Sequence, residues 1–239
     1  MDMEKELEKS LCENDFNAKS KNEIKFKTKE EFLKNETKIT TISGPMYSGK
    51  SGKVIELAAR YDSLRQKYIC FKPSLDTRIL NGVNTAGKIV SRNKKLTVEA
   101  VMINKDFEIN EEMKKIIDEH NIFIFDETQF LDKKSIENFV EECYKKHTCK
   151  EIFFAGLDMD FQGKKFETVA YAEDISNEVD KLRAQCSIKG CDKPATHTAK
   201  IGGDSNVQIE IGNDIYKAMC EKHWKQFTKK PKKENCVSK

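Results

Sequence analysis

The most specific chemistry in this chain is predicted by the octapeptide at 44–51. It consists of Gly44, Pro45, Met46, Tyr47, Ser48, Gly49, Lys50 and Ser51, which fits G-x-x-x-x-G-K-[ST], the loop that wraps nucleotide phosphates. Its glycines let backbone N–H groups approach phosphate oxygens where a Cβ would obstruct them. Lys50 then supplies a mobile positive charge, Ser51 a hydroxyl for Mg²⁺, and the following helix a positive N-terminal end. The segment therefore predicts a phosphate-binding site for a nucleotide.

An acidic pair follows a second apolar run. Ile122–Phe125 has the composition of a buried strand, and Asp126 and Glu127 follow it directly. An acid at this position, paired with a phosphate loop, is typical of a Walker B segment and predicts that Asp126 holds Mg²⁺. Glu127 adds a second carboxylate, which as a base would accept the proton of an attacking hydroxyl. A solvent-facing loop acid is the alternative for Glu127, and it stays open at this point.

Two pairs of potential metal ligands lie near the C-terminus. They are Cys186 with Cys191, and Cys220 with His223. Thiolate and imidazole groups in close pairs suit tetrahedral Zn²⁺ with no open position, which indicates a structural site. Zinc would fix both ends of segment 192–219, which has little core of its own, so that the segment folds over a bound ligand. Unligated thiols in a reducing compartment are the alternative.

Short apolar runs alternate with helical spacing through the middle of the chain. Runs of strand length occur at Ile39–Ile42, Tyr68–Phe71, Lys88–Ser91, Asn121–Phe125 and Glu151–Ala155. Helical spacing occurs at Lys53–Arg65, Glu111–Glu119 and Lys133–Lys146. This alternation predicts an α/β fold in which a P-loop parallel sheet is flanked by helices. From about Asp180 the pattern changes to loops with Cys, Gly and Pro, which predicts a small C-terminal zinc-binding lid domain.

Length and charge constrain the organisation of the chain. Its 239 residues divide into a charged, disordered extension at 1–36, a P-loop domain at 37–178, a zinc-binding domain at 179–226 and a Lys-rich tail at 227–239. With 43 basic and 40 acidic residues the charges nearly balance, so we expect no nucleic-acid partner. No apolar run approaches the ~20 residues of a membrane helix, and the first residues are too charged for a signal peptide. We therefore expect no membrane association and a cytoplasmic location.

Four blocks in this order resemble one known family. They are the octapeptide at 44–51, Lys72-Pro73 followed by Asp76-Thr77-Arg78, Asp-Glu-Thr-Gln-Phe at 126–130, and Gly-Leu-Asp-Met-Asp-Phe-Gln-Gly-Lys-Lys-Phe at 156–166. They resemble the type II, zinc-containing thymidine kinases, from about Ile39 to Trp224. The resemblance implies transfer of the γ-phosphoryl group of ATP to the 5′-hydroxyl of thymidine. It also implies dTTP as a feedback inhibitor, a homotetramer, and a lasso-like lid.

The resemblance also assigns residues to ATP and to catalysis. Glu127 becomes the general base, Asp126 and Ser51 organise Mg²⁺, and Arg78 stabilises charge in a loose transition state. The full set expected at ATP and Mg²⁺ is Gly44, Pro45, Met46, Tyr47, Ser48, Gly49, Lys50, Ser51, Asp76, Arg78, Asp126 and Gln129.

A pyrimidine ring requires apolar walls and stacking faces, which several residues in or beside these motifs offer. The set expected at thymidine is Met46, Phe130, Leu157, Phe161, Phe166, Thr198, Ile211, Gly212 and Tyr216. Tyr216 and Thr198 enter it through the resemblance, which places a tyrosine and a threonine near the base. Where the family often has two adjacent glycines, this chain has Gly212-Asn213, which makes the substrate fit of the loop less secure.

Two other classes of function fit parts of the pattern. A zinc-ribbon nucleic-acid-binding protein with a P-loop ATPase is favoured by the Cys/His pairs and the basic run Lys229–Lys233. Aromatic residues do not interleave with that run, which argues against it. A GTPase is disfavoured because Asn93-Lys94-Lys95-Leu96 lacks the acid of a guanine-reading tetrapeptide.

Overall fold

The computed structural model describes residues 37–76, 79–80, 83–91, 96–146, 150–202 and 215–228. These residues belong to a compact unit that spans 35–239, and a separate unit at 1–34 lies outside the described residues. The extension predicted at 1–36 and residues 229–239 of the predicted tail therefore also lie outside them. None of the helices in the described ranges is long and apolar enough to cross a bilayer.

The described elements alternate strands with helices. In chain order the strands are β1 (Lys38–Ser43), β2 (Tyr68–Pro73), β3 (Ile79–Leu80), β4 (Val83–Asn84), β5 (Lys88–Val90), β6 (Thr97–Glu99), β7 (Val101–Ile103), β8 (Ile122–Phe125), β9 (Glu151–Gly156), β10 (Glu178–Lys181), β11 (Ala184–Gln185), β12 (Pro194–Ala195), β13 (His197–Lys200) and β14 (Tyr216–Met219). The helices are α1 (Lys50–Ser63), α2 (Glu111–Glu119), α3 (Lys133–Lys145), α4 (Glu167–Asp174) and α5 (Glu221–Thr228), with a 3₁₀ turn at Thr128–Phe130.

Six strands form a central sheet in the order β10-β1-β9-β8-β2-β7. Every pairing in it is parallel, including Lys38 with Glu151 and Tyr68 with Ile122. Parallel strands need crossovers that cover both faces, and the helices supply that cover. The predicted α/β fold with a parallel sheet flanked by helices is confirmed.

Strand β8 shows why the sheet is buried on both faces. Its sequence is Ile-Phe-Ile-Phe, and all four residues are buried. Because side chains alternate along a strand, Phe123 and Phe125 enter one core with Phe71 and Phe139, while Ile122 and Ile124 face the core under α1. The Phe139 ring meets the other three edge to face, with centroids 5.0 Å apart for Phe125 and Phe139. A continuous apolar run thus corresponds to a strand covered on both sides.

Helix α2 begins at a capping residue. The Asn110 side chain accepts a hydrogen bond of 2.9 Å from the Met113 N–H at the start of α2. Two acids, Glu111 and Glu112, occupy the first turn of that helix, where negative charge is favoured. The observed bounds of α2 match the predicted range Glu111–Glu119.

Three strands differ from the sequence-based expectation. The run predicted at Lys88–Ser91 forms β5 in a separate antiparallel pair with β6, outside the central sheet. The two edge strands β7 and β10 were not predicted, because they are short and their outer residues Val101 and Val179 are exposed. The domain boundary predicted between residues 178 and 179 falls inside strand β10.

The C-terminal part carries small antiparallel pairs in place of a large sheet. Strand β11 pairs with β12, and β13 pairs with β14, with Thr198 opposite Ala218. The buried residues of the two hydrophobic clusters in this part are small or sulfur-containing: Ala184, Ala195, Ala199, Ala218, Cys186, Met219 and Cys220. A core of this size stabilises little by itself, so further cross-links are needed to hold it.

Candidate active site

The carboxyl ends of four neighbouring strands meet at one edge of the sheet. Strands β1, β9, β8 and β2 lie side by side, and all run in the same direction. The loop 44–51 follows β1, Asp126 and Glu127 follow β8, Leu157 follows β9, and Asp76 lies three residues after β2. In open α/β sheets this edge is where ligands bind. Motifs that are far apart in the sequence therefore converge here.

Glycines shape the loop after β1. Gly44 has a φ of 151°, and a Cβ there would lie 2.4 Å from the carbonyl oxygen of Leu182. Gly49 has a φ of 92°, and a Cβ there would meet no atom within 4 Å. The backbone thus folds tightly against the sheet at Gly44 and leaves open space at Gly49 beside the start of α1, as a phosphate cradle requires.

Lys50 lies across the loop with its ammonium group held by backbone oxygens. Its Nζ donates to the carbonyls of Gly44 at 3.0 Å and Pro45 at 2.8 Å, and the side chain is buried. These bonds hold the ammonium group within the loop, so part of the entropy cost of ordering this side chain is met before phosphate binds.

The acidic pair differs in backbone geometry. Asp126 is buried, and its N–H donates to the Phe71 carbonyl at 3.0 Å, which extends the β8–β2 pairing by one residue. Glu127 has a φ of 50°, a left-handed conformation that a residue with a Cβ adopts at a cost. Asp126 directly follows strand β8, and Glu127 directly precedes the 3₁₀ turn.

Gln129 holds the Glu127 carboxylate through its side-chain amide. Its Nε2 donates to Oε2 of Glu127 at 2.5 Å, while its Oε1 accepts from the Leu157 N–H at 3.0 Å. Gly156 makes room for this bridge, since a Cβ there would lie 3.0 Å from Oε1 of Gln129. The bridge joins the ends of β8 and β9 and fixes the orientation of the Glu127 carboxylate.

A buried ion pair lies after β2. Nζ of Lys72 is 3.1 Å from Oδ2 of Asp76, and both side chains are 2% exposed. The same Nζ donates to the carbonyls of Thr85 at 2.7 Å and Lys88 at 3.0 Å. Further hydrogen bonds of this kind are what makes burial of an ion pair tolerable. Asp76 was expected at the ATP site, whereas Lys72 was named only as part of a motif and was given no role.

Most of the residues expected at thymidine lie within the described part of the chain, and two do not. Met46, Phe130, Leu157, Phe161 and Phe166 are all partly buried, in or after the turns at this edge. Arg78, Ile211 and Gly212, which complete the predicted ATP and thymidine sets, lie outside the described residues.

The phosphate loop contacts the β13–β14 pair directly. The Met46 N–H donates to Oγ1 of Thr198 at 3.0 Å, and the Tyr47 hydroxyl donates to the Tyr216 carbonyl at 3.2 Å. Tyr47 has a φ of 67°, which turns its side chain toward that pair. Thr198 and Tyr216, both predicted at the base, thus lie next to the phosphate loop.

The four predicted metal ligands converge. All the ligand atoms of Cys186, Cys191, Cys220 and His223 lie within 4.8 Å of one another. Sγ of Cys220 is 3.3 Å from Nδ1 of His223 and 3.9 Å from Sγ of Cys191. Donors around tetrahedral Zn²⁺ lie roughly 3.8 Å apart for Zn–S bonds of ~2.3 Å, so this donor set fits zinc in both chemistry and spacing.

The electrostatics of this Cys/His cluster favour a thiolate. Burial raises the pKa of the Cys186 thiol, but hydrogen bonds with the backbones of Cys220 and Ile188 and with His223 outweigh it and lower that pKa to about 6. Thiolate is the form of cysteine that binds metals.

Comparison with known proteins identifies the family. The family model described as thymidine kinase matches residues 37–224, most of the chain and all the motifs above. This chain belongs to the thymidine kinase family. The resemblance deduced from the four sequence blocks is thereby confirmed.

Curated thymidine kinases from distant organisms align along most of the chain. The thymidine kinase of Pseudothermotoga lettingae is 36% identical over 184 residues, covering 77% of this chain and 92% of that protein. Those of Onion yellows phytoplasma and Pyrobaculum aerophilum are 30% and 31% identical, covering 81% and 78% of this chain and 95% and 97% of theirs. Among solved structures, the large terminase of bacteriophage D6E is similar with a TM-score of 0.34 and 10% identity, over 65% of this chain and 42% of the terminase. That similarity is too low to inform function.

Proposed function

We propose that this chain is an ATP-dependent thymidine kinase that transfers the γ-phosphoryl group of ATP to the 5′-hydroxyl of thymidine and forms dTMP for DNA precursor synthesis. The proposal is carried by one observation: a chain of the thymidine kinase family brings its phosphate loop and the acids Asp126 and Glu127 to one edge of a parallel sheet. Neither the family model nor the curated relatives favour the alternative of a zinc-ribbon nucleic-acid-binding ATPase.

The phosphate loop is proposed to hold the triphosphate. Backbone N–H groups around Gly49 line the open side of the loop, and Lys50 brings one positive charge to it. Ser51 and Asp126 would ligate Mg²⁺ through oxygen, the ligand type that this ion prefers. Bound Mg²⁺·ATP supplies the phosphoryl group and neutralises part of its charge. Most of the rate enhancement of such a reaction comes from positioning and charge stabilisation.

Glu127 is proposed as the general base. Its carboxylate accepts the proton of the 5′-hydroxyl as that oxygen bonds to the γ-phosphorus and the bond from phosphorus to the bridging oxygen of ADP breaks. The hydrogen bond from Gln129 keeps the carboxylate oriented for this step. Arg78 is proposed to stabilise the charge that develops on the transferred group.

The nucleoside is proposed to bind between the strand ends and the C-terminal pairs. Met46, Phe130, Leu157, Phe161 and Phe166 would supply apolar walls, because all are only partly buried without it. Thr198 and Tyr216 are held against the phosphate loop, which supports their assignment near the base. Ile211 and Gly212 would complete the loop over the ring.

The Cys/His cluster is proposed to bind one structural Zn²⁺ through all four ligands, because three sulfurs and one nitrogen leave no position for substrate. Feedback inhibition by dTTP, a homotetramer and a cytoplasmic location are proposed on the family resemblance alone. Metal analysis of the purified protein tests the zinc site, with one zinc per chain expected.

The proposed reaction is tested by incubating the protein with radiolabelled ATP and, in parallel, thymidine, uridine, deoxycytidine or single-stranded DNA. We expect label on thymidine. Release of free phosphate that depends on DNA would instead support the ATPase.

The role of Glu127 is tested by Glu127→Gln. This variant is expected to bind thymidine with unchanged Kd but to turn over about 10²- to 10⁴-fold more slowly, because the amide cannot accept the proton. Glu99→Gln is the matched control, since the Glu99 side chain is 80% exposed on β6. Unchanged turnover of Glu127→Gln would remove Glu127 as the base.

A further inference from the structure

Residues 158–166 form a small hairpin after β9. Met159 pairs with Lys165 across it, and the Phe166 N–H donates to the Asp158 carbonyl at 3.2 Å. Gly163, with a φ of 82°, lies in the turn. The hairpin carries Phe161 and Phe166, two of the residues proposed at thymidine. What holds this hairpin therefore affects the nucleoside site.

Trp224 holds the tip of this hairpin from the C-terminal helix. Its Nε1 donates to the Phe161 carbonyl at 3.0 Å. Its ring also covers Gly163, because a Cβ at that glycine would lie 2.9 Å from Cη2 of Trp224. Together these contacts place a hydrogen bond and a flat apolar surface against one turn. A second contact to the tip comes from β13, where Nζ of Lys200 lies 5.2 Å from the Phe161 ring centroid.

The same tryptophan is fixed from the side of the Cys/His cluster. It follows the ligand His223 directly, and its N–H donates to the carbonyl of the ligand Cys220 at 2.9 Å. Its ring stacks on His197 of β13 with centroids 4.4 Å apart and planes at 22°. It also packs against the small core that contains Cys186 and Cys220. Trp224 thus contacts both the cluster and the hairpin.

Helix α5, which carries Trp224, depends on its surroundings for stability. It has eight residues, Glu221–Thr228, and none of them is buried. Isolated helices of this length do not form stably in water. The proposed metal bonds of Cys220, just before α5, and of His223 would fix the first turn of this helix, and the position of the Trp224 ring follows from that turn.

We infer that Trp224 is a positioning residue through which metal binding at the Cys/His cluster orders the 158–166 hairpin, and so shapes the nucleoside side of the active site. This inference rests on the proposed zinc site and on the proposed role of Phe161 and Phe166. The Cys/His cluster would then do more than stabilise its own surroundings, because metal binding there would affect the nucleoside site through the Trp224 side chain.

Hydrogen–deuterium exchange with mass spectrometry tests the inference on the intact protein. Exchange is measured for wild type before and after zinc chelation, and for the variants Trp224→Leu, Trp224→Phe and Phe227→Leu. Elemental analysis gives the zinc content of each protein. Phe227→Leu is the matched control, because Phe227 lies on the same helix and is 41% exposed. Since Trp224 is the one tryptophan in the chain, its fluorescence also reports on this contact.

Chelation is expected to accelerate exchange of hairpin amides about tenfold and leave helix α3 unchanged, with Trp224 emission moving to longer wavelength. Trp224→Leu should keep its zinc yet exchange as fast at the hairpin as the chelated wild type. In Trp224→Phe the hairpin should exchange at a rate between those of wild type and Trp224→Leu, since phenylalanine keeps an aromatic ring but lacks the N–H donor. In Trp224→Leu, the KM for thymidine should rise about fivefold while kcat changes less.

Hairpin exchange that is unchanged by chelation, or equal in wild type and a zinc-loaded Trp224→Leu or Trp224→Phe, would overturn the inference. Wild type without any metal would overturn it as well. If hairpin exchange depends on zinc and on Trp224 but the protein does not phosphorylate thymidine, the role of Trp224 stands and the proposed function is rejected.

Discussion

Glu127 illustrates how much of this site is decided by single residues around a functional group. A left-handed backbone turns its carboxylate off the end of β8, and the Gln129 amide then holds it at 2.5 Å. The amide is itself oriented by the Leu157 N–H and fits because position 156 has no Cβ. The proposed base thus depends on neighbours that never need to touch substrate.

Gln129→Met tests this dependence, because methionine fills similar volume without a polar group to hold the carboxylate. We expect kcat to fall about tenfold, with the KM for thymidine within about twofold, since only the orientation of Glu127 changes. Gln66→Met, at an exposed turn after α1, is the control. Steady-state kinetics are the measurement, and a kcat equal to that of wild type would contradict the role of Gln129.

At the level of elements, the turn from β1 into α1 places the phosphate cradle. Gly44 packs against the backbone of Leu182, which follows β10, so the loop is fixed by the strand on the far side of β1. The backbone hydrogen bond from the Leu182 N–H to the Ser43 carbonyl, at 2.8 Å, continues this contact. The start of the loop is therefore rigid before any nucleotide arrives.

Gly44→Ala is expected to damage this turn, since the new Cβ would lie 2.4 Å from a backbone oxygen that cannot move aside cheaply. The KM for ATP should rise at least about tenfold, and the free energy of unfolding should fall by roughly 1–3 kcal/mol. Gly52→Ala in α1 serves as control, because its Cβ would meet only Oγ of Ser91 at 3.8 Å. It should be stabilising by roughly 0.5–1 kcal/mol. Equal effects of the two changes on KM and thermal unfolding would refute the argument.

Some elements were predictable from sequence and others were not, for identifiable physical reasons. The four apolar residues of β8 predict a strand that is buried on both faces, and the apolar spacing of α2 predicts a helix that is buried on one face. Edge strands β7 and β10 have no such signal, since only Ile103 of β7 is buried and no residue of β10 is. The cysteine pairs could be matched by spacing, whereas the contact of Trp224 with Gly163 joins residues some sixty positions apart that no local pattern links.

On the scale of the whole molecule, the two faces of the sheet each bury one free thiol. Cys70 lies in the core under α1, and Cys143 in the aromatic core on the other face. Burial raises the pKa of each thiol to about 12, from an ordinary value near 9. Neither thiol is accessible for reaction in the folded protein.

These raised pKa values predict a loss of stability in alkali. Below about pH 9 both thiols keep their protons in the folded and unfolded states, so they do not make the free energy of unfolding depend on pH. Between about pH 9 and 12 the unfolded chain releases protons that the folded protein retains, and stability falls by roughly 1 kcal/mol per thiol per pH unit. Urea unfolding at pH 8.5 and 10 measures this, and Cys70→Ala/Cys143→Ala should show a shallower decline. The same decline in both proteins would exclude the thiols as its cause.

The order of strands also has a consequence for synthesis on the ribosome. Strand β1 lies between β9 and β10, both of which are encoded far downstream of it. The nascent chain must make roughly a hundred further residues before β9 emerges, which takes on the order of ten seconds at typical translation rates. During that interval β1 has neither of its partners, and its unsatisfied backbone is open to wrong pairing or to a chaperone. The strand that leads into the phosphate loop is therefore the first of the sheet to be made and among the last to be paired.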